Sequence, residues 1–354
     1  MAIRAATEST THDRRYREVV SSIILLIVMW WAGVLAAIRI TFHRLLLGPT
    51  VPTWTWRTEW VVAIARSTIA VAARDQDDVV VNLFGRLART PVPMSLRHKV
   101  HVRRMKLAGI PTDSFMRIAD ATDTATLLYF HGGGYVFGNP GTHRQFIARL
   151  AHSTHSSVFA PQYRLAPRHP FPAAVDDAIA AYEGLLSGGT RPETIIVAGD
   201  SAGGGLAMAM VHRARSEGLP LPGGIIVFSP YVDLTHSAYT IELNAGTDYL
   251  PLSELSGRND SYAPGFDLEN PEVSPLFANM EGYPPLLIFA GGREMLLDDA
   301  VRLDARARAV GVDSTLAIEE DMMHVWPVAL TWEPATPRTF DTCASWVAAT
   351  VGEQ

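Results

Sequence analysis

The chain has 354 residues, with 30 Lys and Arg against 36 Asp and Glu, and a formal net charge of −6. A protein that binds nucleic acid through its phosphates needs a concentrated excess of basic residues, so this balance argues against a nucleic-acid partner. Hydrophobic residues make up 48% of the chain, which excludes a disordered protein. The single cysteine, Cys343, excludes an internal disulfide and a multi-cysteine metal site.

An uncharged, apolar segment occupies residues 19–38, close to the N-terminus. Twenty helical residues extend about 30 Å, the thickness of the hydrocarbon core of a bilayer. The segment therefore predicts a transmembrane signal-anchor helix, preceded by a short cytoplasmic N-terminus at residues 1–18. Arg14, Arg15 and Arg17 lie just before the segment, and Arg39 and Arg44 lie just after it, an asymmetry that favours this orientation.

Two other interpretations of the segment stay open. Small residues at Ala36 and Ala37 offer cleavage sites, so the segment could be a secretory signal that is removed from a secreted protein. It could also be a buried core helix, although such a helix is rarely apolar on every face. The length of the apolar run favours the anchor, because the apolar region of a cleaved signal usually has about 7–15 residues.

Residues 39–115 are predicted to form a linker and cap helices. Trp54, Trp56 and Trp60 begin a pattern with helical spacing that continues to Ile69. Such a helix could lie along the membrane surface or over a pocket, or its aromatic residues could simply be packed.

Residues 116–354 show alternating strand and helix patterns, with an irregular, cap-like excursion at about 234–283. Buried-strand patterns lie at residues 126–130, 157–160, 194–198, 225–228, 286–290 and 314–318. Helical patterns lie at residues 172–186, 202–216 and 296–310. This alternation predicts an α/β fold with a mostly parallel central sheet flanked by helices, and functional residues at the carboxyl ends of its strands.

A Gly-x-Ser-x-Gly motif, residues 199–203, lies between a strand pattern and a helix pattern. A sharp turn there would leave Ser201 exposed, because the glycines two positions away have no side chains that would block the turn. The motif alone is a weak signal, but its position between strand and helix favours a nucleophilic serine.

A second motif, His131 followed by three glycines, comes directly after the strand pattern at residues 126–130. Glycines allow the backbone to approach a substrate and turn its amides toward a developing negative charge. Together with the serine motif, this run predicts an oxyanion hole formed by the amides of Gly133, Gly134 and Ala202. His131 and Gly132 are expected to support the loop.

Three sequence blocks in this order resemble the hormone-sensitive lipase family of α/β-hydrolases. They are the His-Gly-Gly-Gly-Tyr motif at 131–135, the Tyr-Arg-Leu-Ala-Pro motif at 163–167 and the Gly-Asp-Ser-Ala-Gly-Gly motif at 199–204. The resemblance covers about residues 100–350. It implies an α/β-hydrolase fold with a cap over the active site and a serine esterase activity that needs no metal or other cofactor.

A serine hydroxyl becomes nucleophilic when a histidine accepts its proton and a carboxylate orients that histidine. His324 lies beyond the later strands and is the expected base. Glu294, Asp298 and Asp299 compete for the role of the acid. Glu294 lies closest to the preceding strand, and with Asp298 it reproduces a spacing of acids that the family shows, so Glu294 is the predicted acid. Asp200, beside the nucleophile, is expected to support the surrounding loop.

The predicted reaction is the hydrolysis of an ester through an acyl-enzyme. Two alternatives stay open: an acyltransferase that uses the same residues with an alcohol as acceptor, and a non-catalytic ligand-binding protein of the same fold. The presence of His324 weakens the second alternative.

The anchor implies a hydrophobic ester substrate. A chain with such an anchor resembles the membrane-bound members of the family, such as arylacetamide deacetylases and fungal steryl acetate deacetylases. That resemblance implies a short acyl group, expected to be acetyl, on a bulky alcohol such as a sterol or a secondary metabolite. It also implies the membrane of the endoplasmic reticulum, with the catalytic domain on the lumenal side. A glycosylation acceptor pattern at Asn259 agrees with that side.

Overall fold

The computed structural model describes residues 2–72, 88–118, 125–251 and 260–352. The chain divides into two compact units, one of Met1–Leu87 with Tyr249–Glu254 and the other of Ala88–Asp248 with Leu255–Gln354. Asn259, the predicted glycosylation acceptor, lies outside the described residues.

The described residues of the first unit form the helices α1 (Ala2–Leu47) and α2 (Trp56–Ala72). They pack antiparallel, because Gly33 of α1 approaches Ile64 of α2 while the indole of Trp60 donates a hydrogen bond to Thr41, 3.1 Å away. The helical spacing that begins at Trp54 is thus confirmed as α2. The side chains of Trp60 and Ile64 continue the exposed apolar surface of α1.

Helix α1 contains Ile24–Leu47, which is long and apolar enough to cross a membrane, with a mean hydropathy of 2.1 and only 11% burial. This segment ends nine residues beyond the predicted span of residues 19–38. In the part of the helix beyond residue 38, Arg44 forms an ion pair with the buried Glu59 and donates a hydrogen bond to the Trp54 carbonyl, 2.9 Å away.

The second unit is built on one sheet of eight strands in the order β1-β2-β4-β3-β5-β6-β7-β8. The strands are β1 (Val100–Leu107), β2 (Ile110–Arg117), β3 (Thr126–Phe130), β4 (Ser157–Pro161), β5 (Ile195–Asp200), β6 (Gly224–Phe228), β7 (Leu286–Gly291) and β8 (Ser314–Glu319). β2 runs antiparallel to both of its neighbours, and β3 to β8 are parallel. Every residue of β5, β6 and β7 is buried, as expected of strands covered on both faces.

Helices flank this sheet on both faces. They are α3 (Arg144–Ser153), α4 (Ala173–Ser187), α5 (Ala202–Ser216), α6 (Thr240–Leu243), α7 (Leu297–Ala309), α8 (Trp326–Ala329) and α9 (Ala335–Gly352). The chain moves from β3 to β4 in one direction and from β4 to β5 in the other. Since crossovers between parallel strands are right-handed, this reversal puts α3 on the opposite face from α4, α5 and α7. The carboxyl ends of β3 and β5 therefore lie side by side where ligands bind in open α/β sheets.

One prediction is wrong at the start of this unit. Residues 100–115 were assigned to the linker and cap helices, but they form β1 and most of β2, an antiparallel hairpin at the edge of the sheet. Most side chains of β1 are exposed, so its sequence lacks the apolar run that marks the buried strands.

The excursion between β6 and β7 is confirmed as irregular in its described part. Apart from α6 and a 3-10 turn at Pro275–Phe277, few of its described residues have regular structure. Its start carries the chain past the carboxyl ends of the central strands, because Val232 and Asp233 donate backbone hydrogen bonds to the buried Asp299 of α7.

Candidate active site

Ser201 lies at the turn between β5 and α5, with φ of 52° and ψ of −123°. Holding a residue other than glycine at such angles costs on the order of 1–3 kcal/mol, which the surrounding packing must offset. A Cβ atom on Gly199 would lie 2.2 Å from the Gly203 carbonyl oxygen, and one on Gly203 would lie 2.1 Å from the Phe130 carbonyl oxygen. Backbone packing therefore requires both glycines of the motif.

His324 lies on the loop after β8, and its Nε2 atom is 2.9 Å from the Ser201 hydroxyl oxygen. The ring is almost completely buried, with 1% of the residue exposed. Burial lowers the pKa of His324 to about 4, because an imidazolium loses its hydration there. The ring is therefore neutral at physiological pH and can accept a proton from the hydroxyl.

Glu294 follows β7, and its Oε2 atom lies 3.9 Å from Nδ1 of His324. The same oxygen accepts hydrogen bonds from the Ser229 hydroxyl at 2.6 Å and the Gly291 amide at 3.1 Å. Burial raises the pKa of Glu294 well above its ordinary value, although these two donors act in the opposite direction. The carboxyl group is thus held on the Nδ1 side of the imidazole ring, while Nε2 faces Ser201.

The two competing acids have other contacts. Asp298 is partly exposed, its backbone amide donates to the Thr240 hydroxyl, and its carboxylate lies 3.9 Å from Arg302. Asp299 is buried and accepts the backbone hydrogen bonds of Val232 and Asp233 described above. Asp298 therefore belongs to the start of α7, and Asp299 fixes the chain that leaves β6.

Ser229 is a residue of this site that the sequence analysis missed. It is fully buried, and its hydroxyl donates to Glu294 and accepts a hydrogen bond from the Val325 amide at 2.9 Å. Ser229 therefore connects Glu294 to the residue that follows His324. A lone serine carries no motif, but its position directly after β6, between the strands that precede Ser201 and Glu294, could have identified it.

The glycine loop follows β3 and lies against the serine turn. Gly133 and Gly134 have φ of 124° and 60°, and a Cβ atom on Gly133 would lie 2.1 Å from the Phe137 carbonyl oxygen. The amide of Gly132 donates a hydrogen bond to Asp200 at 2.9 Å, so the loop is held by the residue that precedes Ser201. Gly133, Gly134 and Ala202 are thereby brought to the same end of the sheet.

His131 stabilises this loop through contacts with Tyr163 and Gly132. Its ring stacks on Tyr163 with centroids 4.4 Å apart, the Tyr163 hydroxyl donates to its carbonyl oxygen at 2.6 Å, and its Nδ1 is 2.8 Å from the Gly132 carbonyl. Burial lowers the pKa of His131 to about 3. The ring is therefore a neutral, packed part of the loop.

Asp200 is buried and connects three groups. It accepts hydrogen bonds from the Tyr129 hydroxyl and the Gly132 amide, and Nε2 of His143 lies 3.3 Å from it. Burial raises the pKa of Asp200, but His143, through its charge and hydrogen bond, and the Tyr129 hydroxyl bring that pKa below its ordinary value. The carboxylate is thus ionised, and it orients the glycine loop rather than the imidazole of His324.

Comparisons with known proteins define the class of this protein. An acetyl-hydrolase of Streptomyces hygroscopicus is 38% identical over 228 residues, which are 62% of this chain and 76% of that protein. An esterase of Acinetobacter venetianus is 33% identical over 237 residues, or 66% of this chain and 78% of that protein. These relatives, together with the fold, make the chain a carboxylic ester hydrolase.

Residues 127–328 match the model of a family with the alpha/beta hydrolase fold, and the chain belongs to that family. The crystal structure of an esterase from the bacterial hormone-sensitive lipase family superposes with a TM-score of 0.76 at 34% identity, and it covers 82% of this chain and 97% of that one. The resemblance to this family is thereby confirmed. The narrower resemblance to membrane-anchored deacetylases stays a prediction.

We expect the activity to persist at acidic pH. The imidazole of His324 can accept the Ser201 proton only in its neutral form, and its pKa is lowered to about 4 from an ordinary value near 6.5. As pH falls, kcat/KM for p-nitrophenyl acetate should therefore stay level through about pH 6 and decline only near the lowered pKa. Tryptophan fluorescence at each pH separates this titration from unfolding. A decline centred at pH 6.5 or higher in folded protein would contradict the lowered pKa.

Proposed function

We propose that Ser201, His324 and Glu294 form a catalytic triad that hydrolyses short-chain esters, with acetyl esters as preferred substrates. The observation that carries the proposal is the 2.9 Å distance between the Ser201 hydroxyl and Nε2 of His324, at a serine turn held by backbone packing. A hydroxyl and a neutral imidazole at this distance have the geometry that general-base activation needs.

In the proposed reaction, the Ser201 oxygen attacks the ester carbonyl while Nε2 of His324 takes the hydroxyl proton. The resulting imidazolium is stabilised by Glu294, and the negative oxygen of the tetrahedral intermediate accepts hydrogen bonds from the amides of Gly133, Gly134 and Ala202. His324 then gives its proton to the departing alcohol, which leaves the acyl group on Ser201. Water attacks this acyl-enzyme by the same steps in reverse and releases the acid.

The preference for acetyl esters is supported by the names of two relatives, the acetyl-hydrolase of Streptomyces hygroscopicus and a putative acetyl-hydrolase of Mycobacterium tuberculosis. A hydrophobic alcohol such as a sterol or a secondary metabolite is proposed as the other half of the ester, because an anchored enzyme meets substrates dissolved in the bilayer. An acyltransferase would use the same residues and would be recognised by transfer of the acetyl group to an added alcohol.

We also propose that α1 anchors the chain in a membrane. The segment Ile24–Leu47 would extend about 36 Å as a helix, more than the hydrocarbon core requires. Trp60 contacts Thr41 about 9 Å from the end of that segment, a depth close to the interface where tryptophan is enriched. Placement in the endoplasmic reticulum with a lumenal catalytic domain stays a prediction from the family resemblance.

The substitution Ser201→Ala should lower the hydrolysis of p-nitrophenyl acetate by at least about 10³-fold, because it removes the nucleophile. Alanine is smaller than serine and leaves the turn in place, so circular dichroism and thermal unfolding should match the wild type. Retention of wild-type activity by a folded variant would overturn the proposed mechanism. Under the same assay, butyrate and longer acyl esters of p-nitrophenol should react more slowly than the acetate.

The acid is tested by a matched pair of variants. Glu294→Gln should reduce kcat by about 10²–10⁴-fold, because an amide no longer stabilises the imidazolium of His324. Asp298→Asn removes a carboxylate only four residues away and should change kcat by less than about threefold. If Asp298→Asn is instead the more damaging variant, the acid is Asp298 and the assignment of Glu294 is wrong.

The anchor is tested on the full-length protein in the membranes of the cells that express it. We expect the chain to stay in the membrane pellet after washing with alkaline carbonate and to keep residues 1–40 by intact mass. A soluble chain that begins after Ala36 or Ala37 would show that the segment is a cleaved signal. A soluble chain with its N-terminus intact would show that α1 does not insert.

A further inference from the structure

The outer edge of the sheet is strongly basic, although the chain as a whole is acidic. Residues 94–118 contain six Lys and Arg residues and one acidic residue, Asp113, in a chain whose net charge is −6. Five of these cations have exposed side chains and are called the basic edge below: Arg97, Lys99, Arg103, Arg104 and Lys106. Lys99 and Lys106 are also the two lysines of the chain.

The geometry of β1 arranges these cations as a ridge. β1 is the outermost strand, and residues on both of its faces are exposed. Since side chains alternate along a strand, Arg103 extends from one face while Arg104 and Lys106 extend from the other. Because these side chains are long and lie on both sides of the edge strand, all five can contact one flat partner surface at the same time.

Acidic neighbours neutralise little of this charge. Asp113 is paired with Arg104 across β1 and β2, with a nitrogen–oxygen distance of 3.6 Å, and it also accepts a hydrogen bond from Arg144 of α3 at 3.1 Å. One carboxylate is thus shared by two guanidinium groups. Behind the ridge, burial and the charges of Lys99 and Arg117 lower the pKa of His152, so the electrostatic potential of these cations reaches the last turn of α3.

Exposed apolar side chains lie among the cations. Met94 is 77% exposed, and Met105, Met116 and Ile118 are exposed as well. The register places Met116 opposite His101 on the hairpin. A duplex nucleic acid offers phosphates but no apolar phase for such side chains, whereas a bilayer surface offers both phosphates and the upper part of the acyl chains.

We propose that the basic edge docks on the surface of an anionic bilayer, with its Lys and Arg side chains on lipid phosphates and its methionines in the interfacial layer. This contact is distinct from the anchor proposed above, because insertion of an apolar helix needs no anionic lipid. It would hold the catalytic unit against the membrane from which a hydrophobic ester is drawn.

A simpler reading is that charged side chains on an edge strand prevent other strands from pairing with it. That reading accounts for cations within β1. It does not account for Arg97 and Lys99, which precede the strand, or for the exposed Met94 beside them.

The two lysines allow a direct test with the full chain. The protein is reconstituted in nanodiscs, whose two faces are both accessible, with phosphatidylcholine alone or with about 30% phosphatidylglycerol. A water-soluble acetylating reagent then modifies Lys99 and Lys106, and peptide mass spectrometry gives the rate of acetylation at each lysine.

We expect acetylation of both lysines to be at least about tenfold slower in the anionic discs, since each cation near such a surface contributes about fivefold in affinity. Salt at about 0.5 M should remove the difference, because it screens the attraction.

A double variant with a matched control isolates the basic edge. R103E/R104E should label Lys106 at equal rates in neutral and anionic discs, and comparing rates between discs cancels any change in the intrinsic reactivity of the lysine. R191E/R308E changes the net charge equally at exposed sites elsewhere and should keep the wild-type difference. Both variants should hydrolyse soluble p-nitrophenyl acetate at the wild-type rate.

Three results would overturn the proposal. Equal labelling of the wild type in both discs at low salt would show that anionic lipid does not cover the edge. Equally slow labelling in both would show that the anchor alone buries it. Equal protection of detergent-solubilised protein by a short DNA duplex would assign the edge to polyanions in general.

The labelling result depends neither on the proposed esterase activity nor on the proposed anchor. A loss of esterase activity would leave the labelling unchanged. If the chain fails to enter neutral discs, the anchor proposal is wrong, and the same labelling ratio is then measured with and without added anionic vesicles.

Discussion

The position of the Ser201 hydroxyl depends on a close approach of three backbone segments. The turn after β5, the start of α5 and the end of β3 meet so tightly that Gly199 and Gly203 have no room for a Cβ atom. Because the turn is held at a positive φ by this packing, the serine oxygen does not have to be oriented when a substrate arrives. Preorganisation of this kind costs folding stability and lowers the reorganisation needed during the reaction.

The charges around the site are divided between two separate groups. Asp200 and His143 form a buried pair on the side of the glycine loop, where the pKa of Asp200 is lowered and that of His143 is raised. On the other side, burial lowers the pKa of His324 to about 4 and raises that of Glu294, so burial opposes the charged form of both groups. A proton taken from Ser201 would create a cation beside a carboxyl group whose Oε2 atom also accepts hydrogen bonds from Ser229 and Gly291. The pair of Asp200 and His143 thus holds the glycine loop, and the pair of His324 and Glu294 lies beside the Ser201 hydroxyl.

Much of the fold could be predicted because the central strands are apolar on both faces. β5, β6 and β7 form continuous hydrophobic runs, and the motifs at Ser201 and His131 sit directly after strands. The hairpin of β1 and β2 could not be predicted in the same way, because exposure at the sheet edge removes the hydrophobic period from β1.

Among the residues of the candidate site, Glu294 could be chosen over Asp298 and Asp299 by its distance from the strand end. Ser229 could not be identified, since its importance comes from contacts with two residues that lie 65 and 96 positions later in the chain.

The hydroxyl of Ser229 has a mechanical consequence for the loops on either side of it. One oxygen atom is bonded both to the Glu294 carboxyl group and to the amide that follows His324. Thermal displacement of either loop therefore breaks its hydrogen bond to Ser229 in a fully buried place where no water can replace it. Glu294 and His324 are thus expected to move together. The distance between them should therefore vary less than the distance of either residue from a bound substrate.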